Sequence, residues 1–179
     1  MTAYWCGPGW ASRWTGWAGD LARAAVEFVE RRSPEYAPEH WNDEDHRQYG
    51  NGSYDYACNQ PTGRQAQPGR ASGMSVLRFD RAALHAAALA DGLLLSDGDE
   101  CGCAGPCWQR VALALWLDHD FHWYRQDRDG RWSHKPGGGP ATNLDSSGRP
   151  IVDPRTADRG PYQMFCGFYC LRPARVQIR

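Results

Sequence analysis

The chain has 179 residues, enough for one domain with a sizeable core, and its 20 Lys+Arg against 21 Asp+Glu leave a formal net charge of -1. That balance excludes a broadly basic surface, and with it nucleic acid or an anionic membrane as the main partner. Seven cysteines, an odd number, exclude a fully disulfide-paired scaffold unless a partner or a free thiol takes the last one.

The opening stretch MTAYWCGPGWASRW has no basic region followed by an apolar run, and no segment approaches the roughly 20 apolar residues of a membrane span. The expectation is a reduced, cytoplasmic protein, with non-classical secretion left open. From Trp10 to Arg32 the apolar residues Trp10, Trp14, Trp17, Leu21, Ala24 and Phe28 recur at steps of three and four, which predicts an amphipathic helix ended by SPEYAP. The polar loop that follows completes an amino-terminal, Trp-rich segment over residues 1–48, ahead of a core domain over 49–179.

SYDYACNQ predicts a short helix that starts at Ser53. Residues 61–75 read as irregular, and Asp80 then caps RAALHAAALA, which Gly92 stops. RVALALW, over 110–116, is a nearly unbroken apolar run of strand length, which implies cover on both faces. FHWYRQ and RWSH, joined by DRDG, predict a hairpin, because Gly after Asp supplies the positive φ of a tight loop. After the turns of 136–161, YQMFCGFYCLR reads as the closing strand. Helices followed by an antiparallel sheet make an α+β domain.

Cys101, Cys103 and Cys107 lack the C-x2-C spacing of a zinc knuckle, so no metal is assigned and a zinc-stabilised domain ranks third among the functional readings. On an extended strand Cys166 and Cys170 share a face about 13 Å apart, too far to bridge. The hairpin places His122 on one arm and His134 on the other, with Lys135, the chain's only lysine, directly after. If Tyr124 pairs with His134, then His122, Tyr124, Trp132 and His134 share one face and form a base with its orienting partner. A register slip of one residue separates them. His85, alone on a helix, reads as structural.

NGSYDYACN, AQPGRASG, VALALW, DFHWYRQDRDGRWSHKPGGGPATNLD, DPRTADRGPY and FCGFYC together resemble a family of small, largely uncharacterised bacterial proteins whose blocks also appear in an insoluble matrix shell protein of clams. The resemblance covers residues from about 50 to 171 and implies cysteine where this chain has Ser53. A nucleophile at a helix start followed by histidine on a sheet is the order of papain-like thiol hydrolases, so a papain-like arrangement is expected by analogy. Ser53 is equally well a helix cap, and Cys58, about 140° further round the helix, does not replace it.

The first reading is therefore a hydrolase-like domain, active or degenerate, acting on an amide or thioester bond of a small molecule, peptide or cell-wall fragment, without a cofactor. Its catalytic candidates are Ser53, His122 as base, and His134 or Asn143 as orienter, with Asp120 as a further candidate. Gln67, Tyr54, Trp123 and Lys135 are its candidate substrate contacts. The alternative is a non-catalytic binding or matrix-interaction module that uses the aromatic and histidine pocket.

Overall fold

Val111, Leu113 and Leu115 alternate along one strand with Ala112 and Ala114, and all five are buried. A strand whose two faces are both apolar needs a layer on each side. The computed structural model describes residues 33–43, 47–96, 109–173 and 175–179, and supplies both layers. The Trp-rich helix expected over Trp10–Arg32 and the cluster Cys101, Cys103 and Cys107 lie outside the described residues.

The described helices are α1 (Arg47–Gly50), α2 (Ser53–Ala57) and α3 (Arg81–Ala90); the strands are β1 (Leu94–Ser96), β2 (Gln109–Trp116), β3 (Asp120–Gln126), β4 (Trp132–His134) and β5 (Met164–Leu171). The strands form one sheet in the order β1-β5-β2-β3-β4, with every neighbouring pair antiparallel. The α+β class follows. β2 and β3 form one hairpin, closed through Asp118 at φ 60, and β3 and β4 form the second, closed through Gly130 at φ 82. The second hairpin pairs Tyr124 with His134, the register that gathers the two histidines on one face.

One layer is helical. Tyr54, Ala57, Leu84, Ala88 and Leu93 pack on Val111, Leu113, Leu115, Trp123 and Tyr169. Asp80 caps α3 by accepting the Ala83 N–H at 2.8 Å. Gly92 ends it at φ +98, where a Cβ would stand 2.8 Å from the Arg175 carbonyl oxygen. The other layer is the long irregular segment after β4, which lays Ile151 against Ala112, Ala114, Tyr124, Trp132 and Phe168.

A β-bulge corrects one reading of the cysteines. The pairing of β2 with β5 slips between Leu113 and Ala114, opposite Gly167 and Phe165, so Cys166 is the extra residue and Gly167 takes φ +141. One inserted residue reverses the alternation. Cys166 joins the helical core, whereas Cys170 pairs with Arg110 on the opposite face. The two thiols therefore do not share a face.

Three buried ionic side chains bind the irregular segments. The Asp55 carboxylate accepts from Gly52 N, Ala66 N and the Thr62 hydroxyl, tying the start of α2 to the loop beyond it. Asp91 accepts from the Tyr54 hydroxyl at 3.0 Å, Gly69 N at 2.7 Å and the Ser72 hydroxyl at 2.8 Å. Lys135, 0% exposed, donates to the carbonyls of Gln48, Asn51 at 2.7 Å and Gly137 at 2.6 Å. An ammonium has three donors and no acceptor, so this cage consumes it completely. Burial pushes Lys135 down to about 8, opposed by the Asp55 charge, which leaves it protonated at neutral pH.

Residues 33–43 pack on the same core. Arg125 lies 4.0 Å over the Tyr56 ring, pairs with Asp127 at 3.0 Å and donates to the Glu35 carbonyl at 3.2 Å, while Trp41 meets Tyr56 edge-on. Lys135→Met is expected to strand three buried carbonyls and to lower stability by about 3 kcal/mol or more. Urea titration followed by tryptophan fluorescence measures this; a loss below about 1 kcal/mol would show that water replaces the ammonium.

Candidate functional site

The candidate pocket exists because β4 is short. Its ladder with β3 covers only Tyr124 to Gln126, and Pro136, which has no N–H, follows immediately after Lys135. The first residues of β3, Asp120 to His122, are thus left at a sheet edge. β2 pairs His122 with Ala114 and Phe121 with Leu115, which belong to opposite layers. A cavity at this edge is accordingly walled from both sides. Its volume is about 150 Å³, and Ser53, Gln65, Gln67, Asp120, His122 and Tyr162 are among the residues that line it. It is smaller than the roughly 300–1,000 Å³ of sites for drug-sized ligands.

Ser53 begins α2 and is 7% exposed. The N-cap position belongs to Gly52, so Ser53 does not cap the helix with its side chain. Among the described residues its hydroxyl has no hydrogen-bond partner. Ser53 and His122 wall the same pocket, yet no hydrogen bond joins them.

The histidines form a relay with a fixed direction. His134 Nε2 lies 2.9 Å from the Leu144 carbonyl oxygen, an acceptor only, so that nitrogen carries the proton. Burial lowers the pKa of His134, against the carbonyl bond and Asp145, which raise it. A neutral His134 therefore presents a bare Nδ1, and it faces His122 Nε2 at 2.7 Å. His122 Nε2 must donate that bond. Burial, and then the neighbouring His134, hold the pKa of His122 well below the usual histidine value. It follows that His122 Nδ1 carries no proton and is left as an acceptor on the pocket side. Aromatic contacts fix its ring: Tyr124 meets it edge-on at 5.0 Å, and Tyr162 leans over it at 5.0 Å. Tyr162 is held in turn by the bond from its hydroxyl to Asp120 at 2.7 Å.

The remaining candidates divide. Gln67 lines the pocket and donates its amide N–H to the Gln65 carbonyl at 3.0 Å. Tyr54 lies at the pocket's wall, but its hydroxyl turns inward to Asp91. Trp123 is fully buried between Tyr54 and Tyr169. Lys135 sits in its carbonyl cage. The backbone oxygen of Asn143 accepts the Ile151 N–H at 2.9 Å, and the Leu144 carbonyl, not Asn143, orients His134. Gln65 and Tyr162 join the pocket without having been singled out from sequence. The signal for Gln65 is its i, i+2 spacing from Gln67 in RQAQ; Tyr162 lies in a turn segment with no periodicity to read.

The chain is 45% identical over 145 residues to insoluble matrix shell protein 1 of Ruditapes philippinarum, an alignment that covers 80% of this chain and 95% of that protein. No family model matches, and no solved structure matches. The relative is by its name an insoluble protein of a shell matrix, which overturns two expectations. The hydrolase reading is corrected, with the papain-like arrangement and bacterial family on which it leaned finding no support in these comparisons. The cytoplasmic placement is corrected on the same finding. No described helix is long and apolar enough to cross a membrane.

The relay has a pH consequence. Both imidazoles have lowered pKa values in the folded chain, so below about 6.5 the unfolded chain binds protons that the folded chain refuses. Stability should fall as pH drops from about 6.5 toward 5, and the fall should be shallower in His122→Gln/His134→Gln. Equal slopes for the two chains in chemical denaturation against pH would contradict neutral buried rings.

Proposed function

The chain belongs to the family of insoluble matrix shell protein 1, and on that footing we propose that it is a non-catalytic recognition module that attaches to a component of an insoluble matrix through the His122 pocket. The observation that carries this reading is the relay itself. Leu144, His134 and His122 fix one imidazole nitrogen as an acceptor at a small cavity, and pre-set polar groups are what a recognition site needs. The adjacent hydroxyl of Ser53 makes no bond to the imidazole, so His122 has no internal partner to activate and its acceptor stays open to a ligand.

Two further features support recognition. The rings around His122 are immobilised by packing and by the Tyr162–Asp120 bond, which limits the ordering cost of binding. The pocket also sits at a sheet edge beside the turn that the Lys135 cage ties to Asn51.

Co-sedimentation with the insoluble residue of decalcified shell of Ruditapes philippinarum tests the reading. The natural chain is expected to bind saturably, and His122→Phe and Ser53→Val, which both change the lining, are each expected to weaken binding about tenfold, the worth of one well-made polar contact. Retention of full binding by both folded variants would remove the pocket from any role in attachment.

A further inference from the structure

Among the hydrogen-bonding groups left on the pocket wall, acceptors outnumber donors. Gln65 donates one amide N–H to the Tyr49 carbonyl at 2.9 Å, and Gln67 donates one to the Gln65 carbonyl at 3.0 Å, so each exposed amide keeps its oxygen and one N–H unused. Tyr162 donates its hydroxyl to Asp120, Tyr54 donates its own to Asp91, and the His122 N–H goes to His134. The donors left on the wall are the Ser53 hydroxyl, which is able to accept as well, and the second N–H of each Gln amide. Against them stand more acceptors: His122 Nδ1, two amide oxygens, the Ser53 oxygen and the Asp120 carboxylate. His122 is 3% exposed, so its open nitrogen is reached only through the pocket.

The Asp120 carboxylate in this set repels carboxylates and phosphates, and the surplus of acceptors favours a ligand that brings more donors than a sugar hydroxyl does. A primary ammonium brings three donors and no acceptor. A guanidinium is wider and would need the two Asp120 oxygens together, which already accept from Phe121 N and the Tyr162 hydroxyl. No group of three His, Cys, Asp or Glu side chains suited to a metal ion occurs among the described residues.

A second cavity of about 220 Å³ adjoins the first, sharing Gln67 and Phe121 with it. Its wall is apolar on one side, with Val76, Met74 and Phe79, whose ring meets Phe121 edge-on at 5.5 Å. Arg70 stands on its lining too and makes no side-chain bond among the described residues. An acceptor-rich end beside a partly apolar wall fits a cation on an alkyl stem, with the stem along Phe79 and Phe121 and the exposed Arg70 left to solvent. The chain does not supply this group to a second copy of itself, because its only lysine is Lys135, which is fully buried.

We propose that the group recognised in the His122 pocket is the side chain of a lysine on a partner polypeptide; this rests on the recognition reading above and names the ligand for it. The test is a ¹H–¹⁵N NMR titration of the full chain with Nα-acetyl-lysine methylamide, its norleucine and arginine counterparts, and glucosamine. Lysine amide should give saturable shifts at Ser53, Gln65, Gln67 and His122. Norleucine and arginine should bind at least about tenfold more weakly, as should lysine to Asp120→Asn or His122→Phe, the loss expected for one charge-assisted bond. Equal binding of norleucine, tighter binding of glucosamine, or no saturable shifts with lysine overturns the proposal. A sedimentation arm separates the two claims. If lysine amide binds but does not displace the chain from shell matrix, the ammonium site stands and the matrix role of the pocket fails. If matrix binding depends on His122 while lysine neither shifts nor competes, recognition stands and the lysine proposal fails.

Discussion

Two buried charges, the ammonium of Lys135 and the carboxylate of Asp55, hold the start of α2 where it is, and the pocket depends on that placement. Neither charge is neutralised by direct pairing; each is surrounded by backbone groups, three carbonyls for the ammonium and the N–H groups of Gly52 and Ala66 for the carboxylate. The need is physical. α1 has four residues and α2 has five, and helices so short have almost no stability of their own. Backbone groups that a longer helix would satisfy internally are satisfied instead by two ionic side chains. The result fixes Gln48 to Asp55 against the turn after β4 and sets Ser53 at the edge of β3.

The edge is a consequence of Pro136. Two residues beyond the end of β4 at His134, it leaves Asp120 to His122 with no partner strand on that side, and the long segment beyond returns to cover the second face of the sheet. The same segment supplies the Leu144 carbonyl that sets the tautomer of His134, and through it that of His122. A loop that closes the core thereby sets the polarity of a pocket on the far side of two imidazole rings. Burial keeps both rings neutral, which preserves the direction of the relay.

Much of the frame was legible in the sequence. Asp80 and Gly92 bound α3 as their chemistry dictates, RVALALW is the doubly covered central strand, and the aromatic hairpin pairs Tyr124 with His134. Three features were not legible, each because it arises from tertiary contact. The bulge at Cys166 reverses the face of a strand whose pattern of aromatics gives no sign of it. β1 is only Leu94–Ser96, too short for periodicity to register. Lys135 follows a histidine strand and looks like a ligand contact, but its partners lie 87 and 84 residues away in sequence at Gln48 and Asn51. The site was legible as a constellation of Ser53, Gln67, His122 and His134. Its hydrogen-bond polarity was not, since this is decided by carbonyls of Tyr49, Gln65 and Leu144 that any residue would provide.

Long-range ¹H–¹⁵N correlation of the histidine rings at neutral pH tests the polarity of the pocket most directly. Both His122 and His134 should be neutral Nε2–H tautomers, each with an unprotonated Nδ1. The His122 Nδ1 signal should move in His134→Phe, where the relay loses its middle ring. A His122 ring protonated at Nδ1, or charged at both nitrogens at neutral pH, would contradict an acceptor-lined pocket and with it the recognition chemistry built on it.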